Sequence, residues 1–336
     1  MKVLVIGGTG VVGGQVTELL CAEGHETAVL HRGGRAPAPG AASLIGDCRS
    51  EMFMRKLAQE HAYDAVIDLA CYDPEDARIL LEAFGRRAGQ IVICSTTAAY
   101  KRPYASQPVA EDNPLMDVNV FEYGFLKAEM ERYVRKWMRE GYPVTVIRPS
   151  QTWWVGTPNV GALRTNYGLV ARMREGRPVI VNGDGRNPWI WTFSPDLAKA
   201  FAGVLGRQRC VGQTYNAVSD EAHIWDDLYL TFGELLGVDP VLYHLPTELL
   251  YLADRKLFAH LYYEKTYCGL FDTSKIRADV PEFTIDWTLR KGLKRLIDWY
   301  DSDPDARVVD PEKSAFEDAL CSVYEDLRGR MLRLAR

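Results

Sequence analysis

The sequence predicts an α/β fold in which helices cover both faces of a parallel β-sheet. Three observations carry this prediction. Short runs of β-branched and aliphatic residues recur through the first half of the chain, segments with apolar residues at helical spacing separate most of them, and the first run leads directly into a glycine-rich turn. Near-continuous apolar strands that alternate with helices are typical of a parallel sheet buried on both faces, so we expect a doubly wound sheet.

Six segments are predicted as the buried strands: in chain order KVLVI, ETAVL, AASLI, DAVIDLA, QIVICS and PVTVIR. Beyond the sixth, turn formers and aromatic residues indicate a smaller C-terminal domain. We therefore place a first domain at 1–150, with 194–217 returning to it, a second domain at 151–193 and 218–300, and a helical extension at 301–336. The extension carries one apolar helical stripe, which predicts a packing or subunit-contact role for Phe316, Leu320, Val323, Leu327, Met331 and Leu334.

The first strand is followed by GGTGVVGG and the start of a helix. Gly7 permits a tight turn, Gly10 lets backbone approach a pyrophosphate, and Gly13 lets the helix pack closely on the strand. The helix N-terminus then faces the phosphates. A generic strand-to-helix turn is the alternative, but this spacing is typical of a Rossmann-type dinucleotide-binding domain. We predict cofactor contacts from Gly7, Thr9, Gly10, Val11, Val12 and Gly13.

The end of the second strand, HRGGR, bears on the choice of dinucleotide. It offers Arg32 and Arg35, and no carboxylate lies between Glu26 and Asp47. Because arginine suits a 2′-phosphate whereas an acidic residue binds the ribose 2′-hydroxyl, we predict NADP, with NAD as the alternative. An exposed loop arginine is also commonplace. Further cofactor contacts are predicted where later strands end, at Asp47, Cys48, Leu69, Ala70 and Pro149.

Two aspartates near these strand ends allow more than one interpretation. Asp47, in IGDC after the third strand, could accept a hydrogen bond from the adenine amino group. Asp68, in VIDLA, precedes backbone that the fourth strand would deliver to the cofactor. Either carboxylate could instead cap the end of its strand.

The composition is that of an ordinary globular protein, with 47% hydrophobic and 25% charged residues. Its net charge of −5 argues against a nucleic-acid partner, because binding to a phosphate backbone requires a basic surface. The chain begins with a strand-like segment without the pattern of a signal peptide, and no apolar run approaches the length of a membrane span. We expect a cytoplasmic protein with neither a membrane nor a nucleic-acid partner.

Cysteine and histidine usage gives no support to metal chemistry. The seven cysteines are an odd number, scattered without a Cys-x-x-Cys pair, and the six histidines show no metal-ligand spacing on one helix. This pattern fits small buried thiols in a reducing compartment. No metal site is predicted.

The stretch YGFLK places Tyr123 and Lys127 at positions i and i+4, on one face of a predicted helix. An ammonium group there, with the positive nicotinamide, can lower a phenol pKa from its ordinary value of about 10 toward the working pH. The alternative is a half-buried tyrosine beside a solvated lysine on an ordinary surface helix. The spacing alone does not separate the two.

The chain resembles the extended short-chain dehydrogenase/reductase family, which includes sugar-nucleotide epimerases and dehydratases. The resemblance covers about residues 1–300 and rests on motifs in the family's order: GGTGVVG, GD at 46–47, DLA at 68–70, CSTTAAY, YGFLKAEME, IRPSQ, SPDLAKA, GQTYNAVSDE and DTSKIR. The family members often dimerise through the helix that bears the tyrosine and its neighbour. The resemblance therefore implies a homodimer.

The resemblance also implies roles for three residues. In this family a serine or threonine at the end of the fifth strand works with the tyrosine and lysine. The residue four positions before Tyr100 is Thr96, which the resemblance assigns to this role, and Ser95 and Thr97 are close competitors. Tyr123 would shuttle a proton to or from the substrate oxygen, and Thr96 would hydrogen-bond that oxygen. Lys127 would also hold the nicotinamide ribose, while the cofactor moves the hydride.

Departures from the family pattern change the expected substrate. Family 4,6-dehydratases resemble one another in an Asp-Glu pair after the threonine, where this chain has Thr97-Ala98, so dehydration is disfavoured. UDP-sugar epimerases usually carry an arginine seven residues before the aspartate of the later DLA motif, where this chain has Trp189, with Arg186 as a shifted substitute. The place of a second diphosphate-binding arginine offers Tyr262 and Lys265.

We therefore predict an NAD(P)-dependent oxidoreductase that interconverts a secondary alcohol and a carbonyl on a small sugar-like or specialised-metabolite substrate. One alternative is an epimerase with transient oxidation. Another is a non-catalytic nucleotide- or RNA-binding member of the fold, since a branch resembling chloroplast stem-loop-binding proteins shares some motifs. Aromatic residues gather in the second half, where core packing is the competing role, and the predicted substrate contacts are Thr97, Trp153, Trp154, Trp189 and Tyr262.

Overall fold

The computed structural model describes residues 1–156 and 159–334. The chain forms two compact units, each assembled from separate segments. The first unit comprises Met1–Thr152, Trp191–Asp220 and Phe271–Asp286, and the second comprises Trp153–Ile190, Glu221–Leu270 and Trp287–Arg336.

Together the two units contain twelve strands and twelve α-helices among the described residues, and strands and helices alternate through most of the first unit. The strands are β1 Lys2–Ile6, β2 Glu26–His31, β3 Ala42–Ile45, β4 Ala65–Asp68, β5 Gln90–Cys94, β6 Val144–Arg148, β7 Gln151–Trp153, β8 Val179–Asn182, β9 Pro188–Phe193, β10 Thr214–Asn216, β11 Ala222–Ile224 and β12 Leu242–Leu245. The α-helices are α1 Val11–Ala22, α2 Glu51–Glu60, α3 Pro74–Phe84, α4 Glu122–Arg139, α5 Gly168–Arg174, α6 Ser194–Gly203, α7 Trp225–Leu236, α8 Thr247–Ala253, α9 Arg255–His260, α10 Ser274–Asp279, α11 Leu289–Ser302 and α12 Pro311–Leu332.

The first unit is built on a seven-stranded sheet in the order β10-β6-β5-β4-β1-β2-β3. Every neighbouring pair in it is parallel. Val3 and Val5 belong to the apolar cluster that includes α1 and α6, whereas Leu4 and Ile6 belong to the cluster that includes α2, α3 and α4. Because neighbouring residues of a strand point to opposite faces, helices cover both faces of the sheet, and the predicted doubly wound α/β fold is confirmed.

One predicted buried strand differs from expectation. AASLI does form β3, but Ala42 and Ser43 are exposed and Ile45 is 70% exposed. β3 lies at the edge of the sheet, where it pairs with β2 alone. An edge strand has a neighbour on one side only, so its apolar residues are not enclosed as those of the central strands are.

The unit boundaries differ from the predicted domains at Phe271–Asp286. The predicted second domain contained this segment, whereas the structure places it in the first unit. Phe271 forms a parallel bridge with Val109, and the Lys275 ammonium donates to the carbonyl of Thr214, 2.9 Å away. Ile276 and Val280 are fully buried in the core beside α6. These contacts join residues far apart in the sequence, so local sequence patterns do not predict them.

The second unit contains the two-stranded sheet β12-β8, the β11-β9 pair of a three-stranded sheet ordered β11-β9-β7, and the C-terminal helix. β8 pairs in parallel with β12, and β9 pairs in antiparallel fashion with β11. The predicted extension 301–336 is part of this unit: the buried carboxylate of Glu317 accepts from the Ile180 backbone N–H at 3.0 Å. Its predicted apolar stripe packs only in part, because Leu320 is buried whereas Val323 and Met331 are exposed. Among the helices described, none combines the length and apolar character that a membrane span requires.

Candidate active site

The predicted cofactor residues of the first unit lie at the carboxyl ends of its parallel strands. Because these ends meet at one edge of the sheet, residues distant in sequence can share a site there. Each group follows one strand: the glycine turn follows β1, Arg32 and Arg35 follow β2, Asp47 and Cys48 follow β3, Leu69 and Ala70 follow β4, Thr96 and Thr97 follow β5, and Pro149 follows β6.

The glycine turn brings the start of α1 against the end of β1. Gly7 has φ of 79°, a left-handed conformation that favours glycine. A Cβ at Gly13 would lie 2.2 Å from the Gly7 carbonyl oxygen, so only glycine fits there. Gly10 is the N-cap of α1, and among the described residues no side chain caps this helix and no acidic residue lies in its first turn. The first N–H groups of α1 are therefore suited to an anion such as a pyrophosphate.

The backbone after β4 lies beside the glycine turn. A Cβ at Gly7 would be 3.5 Å from Ala70 Cβ, and Leu69 N donates to the Ile6 carbonyl at 3.0 Å. Asp68 caps this strand end, since its Oδ1 accepts from Ala70 N at 2.8 Å and from Cys71 N at 2.9 Å. Burial raises the pKa of the Asp68 carboxyl to about 6, although these two hydrogen bonds act to lower it. The cap interpretation of Asp68 is confirmed.

The segments after β2 and β3 present polar groups at the same edge. Arg32 and Arg35 are exposed, and within the described part of the chain neither forms an ion pair. Asp47 Oδ1 accepts from Arg49 N at 2.9 Å, so this carboxylate also stabilises its own turn. Burial, together with nearby carboxylates, raises the pKa of the Cys48 thiol to about 11. These features fit a bound dinucleotide, with guanidinium groups at the loop after β2.

Lys127 is buried, contrary to the alternative of a solvated lysine. Its ammonium donates to the carbonyl oxygens of Cys71 at 2.7 Å and Cys94 at 2.8 Å, which ties α4 to the ends of β4 and β5. Burial acts to lower the pKa of Lys127, but attraction to Tyr123, Cys94, Cys71 and Asp68 outweighs it, and the net pKa is raised. A protonated amine is therefore held inside the fold, electrostatically coupled to Tyr123.

Tyr123 lies half-buried in the first turn of α4. Its ring contacts those of Tyr72 and Phe121, with centroid distances of 5.6 Å and 6.0 Å. α4 is also in contact with the 3₁₀ turn Thr97–Ala99, since a Cβ at Gly124 would lie 2.5 Å from the Ala98 carbonyl oxygen. The structure thus brings the tyrosine helix and the hydroxyl-bearing turn together.

The three hydroxyls after β5 have different surroundings. Ser95 donates to Glu131 Oε1 at 2.5 Å and is committed to a buried polar network. Thr96 caps the 3₁₀ turn, its Oγ1 accepting from Ala98 N at 3.1 Å, so the O–H proton can still be donated. Thr97 is fully buried, and its Oγ1 has no hydrogen-bond partner among the described residues. Thr97 N donates to Pro149 O at 2.9 Å, which places Pro149 beside this turn.

Sequence reasoning did not identify the network behind these hydroxyls. Glu131 pairs with Arg148, with Nε to Oε1 at 2.8 Å and Nη2 to Oε2 at 2.5 Å, and both side chains are at most 1% exposed. Arg148 also donates to the Tyr100 hydroxyl at 2.7 Å, which donates to Asn216 at 2.6 Å. The spacing of Tyr123, Lys127 and Glu131, each four residues apart, was the signal that could have revealed it.

The predicted aromatic substrate contacts belong to the second unit. Trp153 and Trp189 are buried there, as expected if they pack in the core. The Lys265 ammonium lies 4.9 Å from the centroid of the Trp189 ring. Trp154 is half-buried against Trp287, and Tyr262 stacks on Tyr251 at 4.6 Å. Lys265 is neutralised by Glu264 at 2.8 Å. Within residues 1–156 and 159–334, no group of His, Cys, Asp and Glu side chains is arranged to hold a metal ion.

Comparisons with known proteins place this architecture among enzymes. Residues 3–217 match the model of the NAD dependent epimerase/dehydratase family. The chain is 30% identical to a 2′-dehydrokanamycin reductase from Streptomyces kanamyceticus over 70% of the chain and 67% of that protein. It is 30% identical to a UDP-glucose 4-epimerase from Lactobacillus helveticus over 44% of the chain and 51% of that protein.

A third relative and two solved structures extend the comparison. A chloroplast stem-loop binding protein from Arabidopsis thaliana is 26% identical over 67% of the chain and 60% of that protein. The structure of a UDP-glucose 4-epimerase from Thermotoga maritima superposes with a TM-score of 0.72 at 19% identity, covering 90% of this chain and 99% of that one. An epimerase from Methanothermobacter thermautotrophicus gives 0.74 at 19% identity over 90% and 93%. At such identities the structures show a shared fold.

Proposed function

We propose, from the premise that this chain belongs to the NAD dependent epimerase/dehydratase family, that it interconverts a secondary alcohol and a carbonyl on a small sugar-like substrate. The family is described as NAD dependent, and the relatives include a reductase and a UDP-glucose 4-epimerase, so the chain is an enzyme of the extended short-chain dehydrogenase/reductase type.

The buried Lys127 is the observation that carries the proposal. A charged amine costs free energy when it is removed from water, and it is retained here with two carbonyl partners beside a tyrosine. A fixed positive charge stabilises the phenolate form of a neighbouring tyrosine. An ordinary surface helix needs no such arrangement, whereas proton transfer by Tyr123 does.

A bound nicotinamide dinucleotide would supply the hydride or accept it. The glycine turn, Leu69, Ala70, Pro149 and Lys127 would hold it. During reduction the Tyr123 hydroxyl would give its proton to the substrate oxygen, and the Lys127 ammonium would stabilise the phenolate that remains. Thr96 would donate a hydrogen bond to the same oxygen and so stabilise the negative charge that develops on it. Oxidation reverses these proton movements.

We propose NADP as the preferred dinucleotide. Arg32 and Arg35 support this choice, because both are exposed after β2 without an ion-pair partner in the described structure. A guanidinium binds a 2′-phosphate through charge-assisted hydrogen bonds. The family description specifies NAD dependence, so the 2′-phosphate preference rests on these two side chains.

The substrate class rests on the relatives and on the second unit. One relative is named a 2′-dehydrokanamycin reductase, which supports a carbonyl compound related to a sugar. Lys265 is neutralised by Glu264, so this pair adds no net charge for binding a diphosphate. Trp154 and Tyr262, which keep exposed ring surface, are our proposed substrate contacts in the second unit. We further propose a homodimer, supported by the family resemblance, and a cytoplasmic location, supported by the scattered free cysteines.

Epimerisation is the second candidate, favoured by the similarity to a UDP-glucose 4-epimerase. The two activities differ in the fate of the cofactor. A reductase consumes reduced nicotinamide in proportion to product, whereas an epimerase turns over without net change in the reduced-nicotinamide absorbance.

The test is an assay of purified protein with NADPH and a panel of ketone derivatives of sugars and aminoglycosides. We expect stoichiometric loss of NADPH absorbance with at least one ketone, and abolition of it in Tyr123→Phe. Tyr133→Phe is the matched control, a partly buried tyrosine further along α4 that is expected to keep full activity. Equal activity in native protein and Tyr123→Phe would contradict the proposal.

A further inference from the structure

In addition to the bond from Lys127 to the Cys94 carbonyl, α4 contacts the segment that follows β5 at two separate places. One is Gly124, next to Tyr123, where the helix meets the carbonyl of Ala98. The other is Glu131, whose carboxylate accepts a hydrogen bond from the Ser95 hydroxyl. Because Gly124 and Glu131 are seven residues apart, about two helical turns, the two contacts together hold both the position and the direction of this part of α4.

The Gly124 contact leaves no room for a larger residue. A Cβ there would lie 2.5 Å from Ala98 O and 3.1 Å from Met116 Cε. Ala98 O is itself held, since Arg102 donates to it at 2.9 Å and to Thr97 O at 3.0 Å. The carbonyl cannot move aside without losing these bonds. α4 can therefore lie this close to the turn that follows Thr96 only because position 124 has no side chain.

The Glu131 contact holds the peptide that bears Thr96. Adjacent residues at a strand end point to opposite sides, so a Ser95 hydroxyl bonded to Glu131 directs Thr96 away from it. Glu131 is fixed in turn by two bonds from Arg148, and all these groups are buried. Arg148 lowers the pKa of Glu131 against the effect of burial, so the acceptor stays ionised.

We propose that Gly124 and Glu131 are positioning residues that set the placement of Tyr123 relative to Thr96. Neither needs to touch substrate. Gly124 acts through the backbone of the 3₁₀ turn, and Glu131 acts through Ser95. This inference rests on the proposed function for its kinetic consequence, but the structural consequence can be measured independently of any activity.

Two variants test the two attachments. Ser95→Ala removes the bond from β5 to Glu131 and leaves the Glu131–Arg148 pair intact, and Gly124→Ala pushes α4 from Ala98. Thr145→Val is the control: Thr145 is a fully buried hydroxyl in the same sheet that donates to Cys210 O at 2.7 Å. Its loss destabilises the fold but does not reach the end of β5.

We expect kcat to fall about tenfold in Ser95→Ala and more in Gly124→Ala, with NADPH affinity and KM within about twofold of native values. Thr145→Val should lower the melting temperature while kcat per folded molecule stays unchanged. A merely structural role would give Ser95→Ala the behaviour of Thr145→Val. That result, or equal losses in NADPH affinity and kcat, would overturn the proposal.

Crystal structures of both variants provide the second readout. We expect a wider separation of Gly124 and Ala98 backbones in Gly124→Ala, and a rotated Thr96 side chain in Ser95→Ala. Unchanged placement of Tyr123 and Thr96 in both would overturn the positioning role even if activity fell. If native protein turns over no carbonyl substrate, the proposed function is contradicted and these structures decide the positioning role alone. If Gly124→Ala does not fold, the kcat and the crystal structure of Ser95→Ala test the proposal by themselves.

Discussion

The ammonium of Lys127 lies 2.8 Å from the carbonyl oxygen of Cys94, at the carboxyl end of β5. Together with its bond to Cys71 O, this contact makes the lysine a link between a helix and two strands, as well as a source of charge near Tyr123.

Replacement of this lysine should therefore affect catalysis and stability together. We expect Lys127→Met to lower kcat by on the order of 100-fold, because Tyr123 loses its electrostatic partner. Two buried carbonyls would lose their donors, at a cost of about 1–3 kcal/mol each in the free energy of unfolding. Steady-state kinetics and urea unfolding measure the two effects. Lys136→Met, an exposed position of the same helix, is the control, and equal behaviour of the two variants would refute the assignment.

The loop after β2 should decide between the two dinucleotides. We expect native protein to bind NADPH more tightly than NADH. Arg32→Ala should reduce the ratio of the NADH and NADPH dissociation constants by roughly tenfold, because it removes one charge-assisted hydrogen bond to the phosphate. Isothermal titration with both dinucleotides measures it. Arg295→Ala removes an exposed arginine of the second unit and should change neither affinity. Equal affinities in native protein would rule out the NADP preference.

Two neighbouring glycines of α1 should respond differently to the same change. Gly13→Ala introduces a Cβ only 2.2 Å from Gly7 O, so we expect a large loss of stability and of dinucleotide binding. At Gly14 nothing lies within 4 Å of the added Cβ, and alanine there should stabilise the helix by up to about 1 kcal/mol. Thermal unfolding and dinucleotide titration distinguish them. Similar effects at both positions would show that close packing of the turn is not what requires glycine.

Asp68 should make stability depend on pH below neutrality. Burial raises the pKa of its carboxyl to about 6 in the folded protein, above the ordinary value of 3.8. The folded state therefore binds this proton more tightly than the unfolded state, and the contribution of Asp68 to stability falls as pH rises from about 4 to about 6.

Asp68→Asn removes that titration while keeping an oxygen that can accept from Ala70 N and Cys71 N. Relative to native protein, we expect the variant to gain stability between pH 4 and pH 7 by up to about 3 kcal/mol. Urea unfolding at several pH values measures the difference. Asp239→Asn, at an exposed position, should run parallel to native protein. A difference between native and Asp68→Asn that does not change with pH would contradict the predicted direction.

Local patterns were sufficient for much of the first unit. The alternation of apolar strands with helices determined the parallel sheet, because each strand buried on both faces must be apolar throughout. The spacing of Gly7, Gly10 and Gly13 determined the turn before α1, because a Cβ at Gly13 has no room. The order of motifs along the chain was enough to identify the family, which the match over residues 3–217 confirms.

Other features depend on contacts between residues far apart in the sequence, which only the tertiary structure decided. AASLI reads like a central strand, but its position at the sheet edge exposes Ile45. Phe271–Asp286 returns to the first unit because Val109 and Thr214 supply partners for it. The motif YGFLK names Tyr123 and Lys127, but the carbonyls of Cys71 and Cys94 bury the lysine, and Ser95, Glu131 and Arg148 meet only after three elements have packed. Sequence periodicity specifies which face of an element is apolar, whereas the partner that a polar side chain finds depends on the folding of the whole unit.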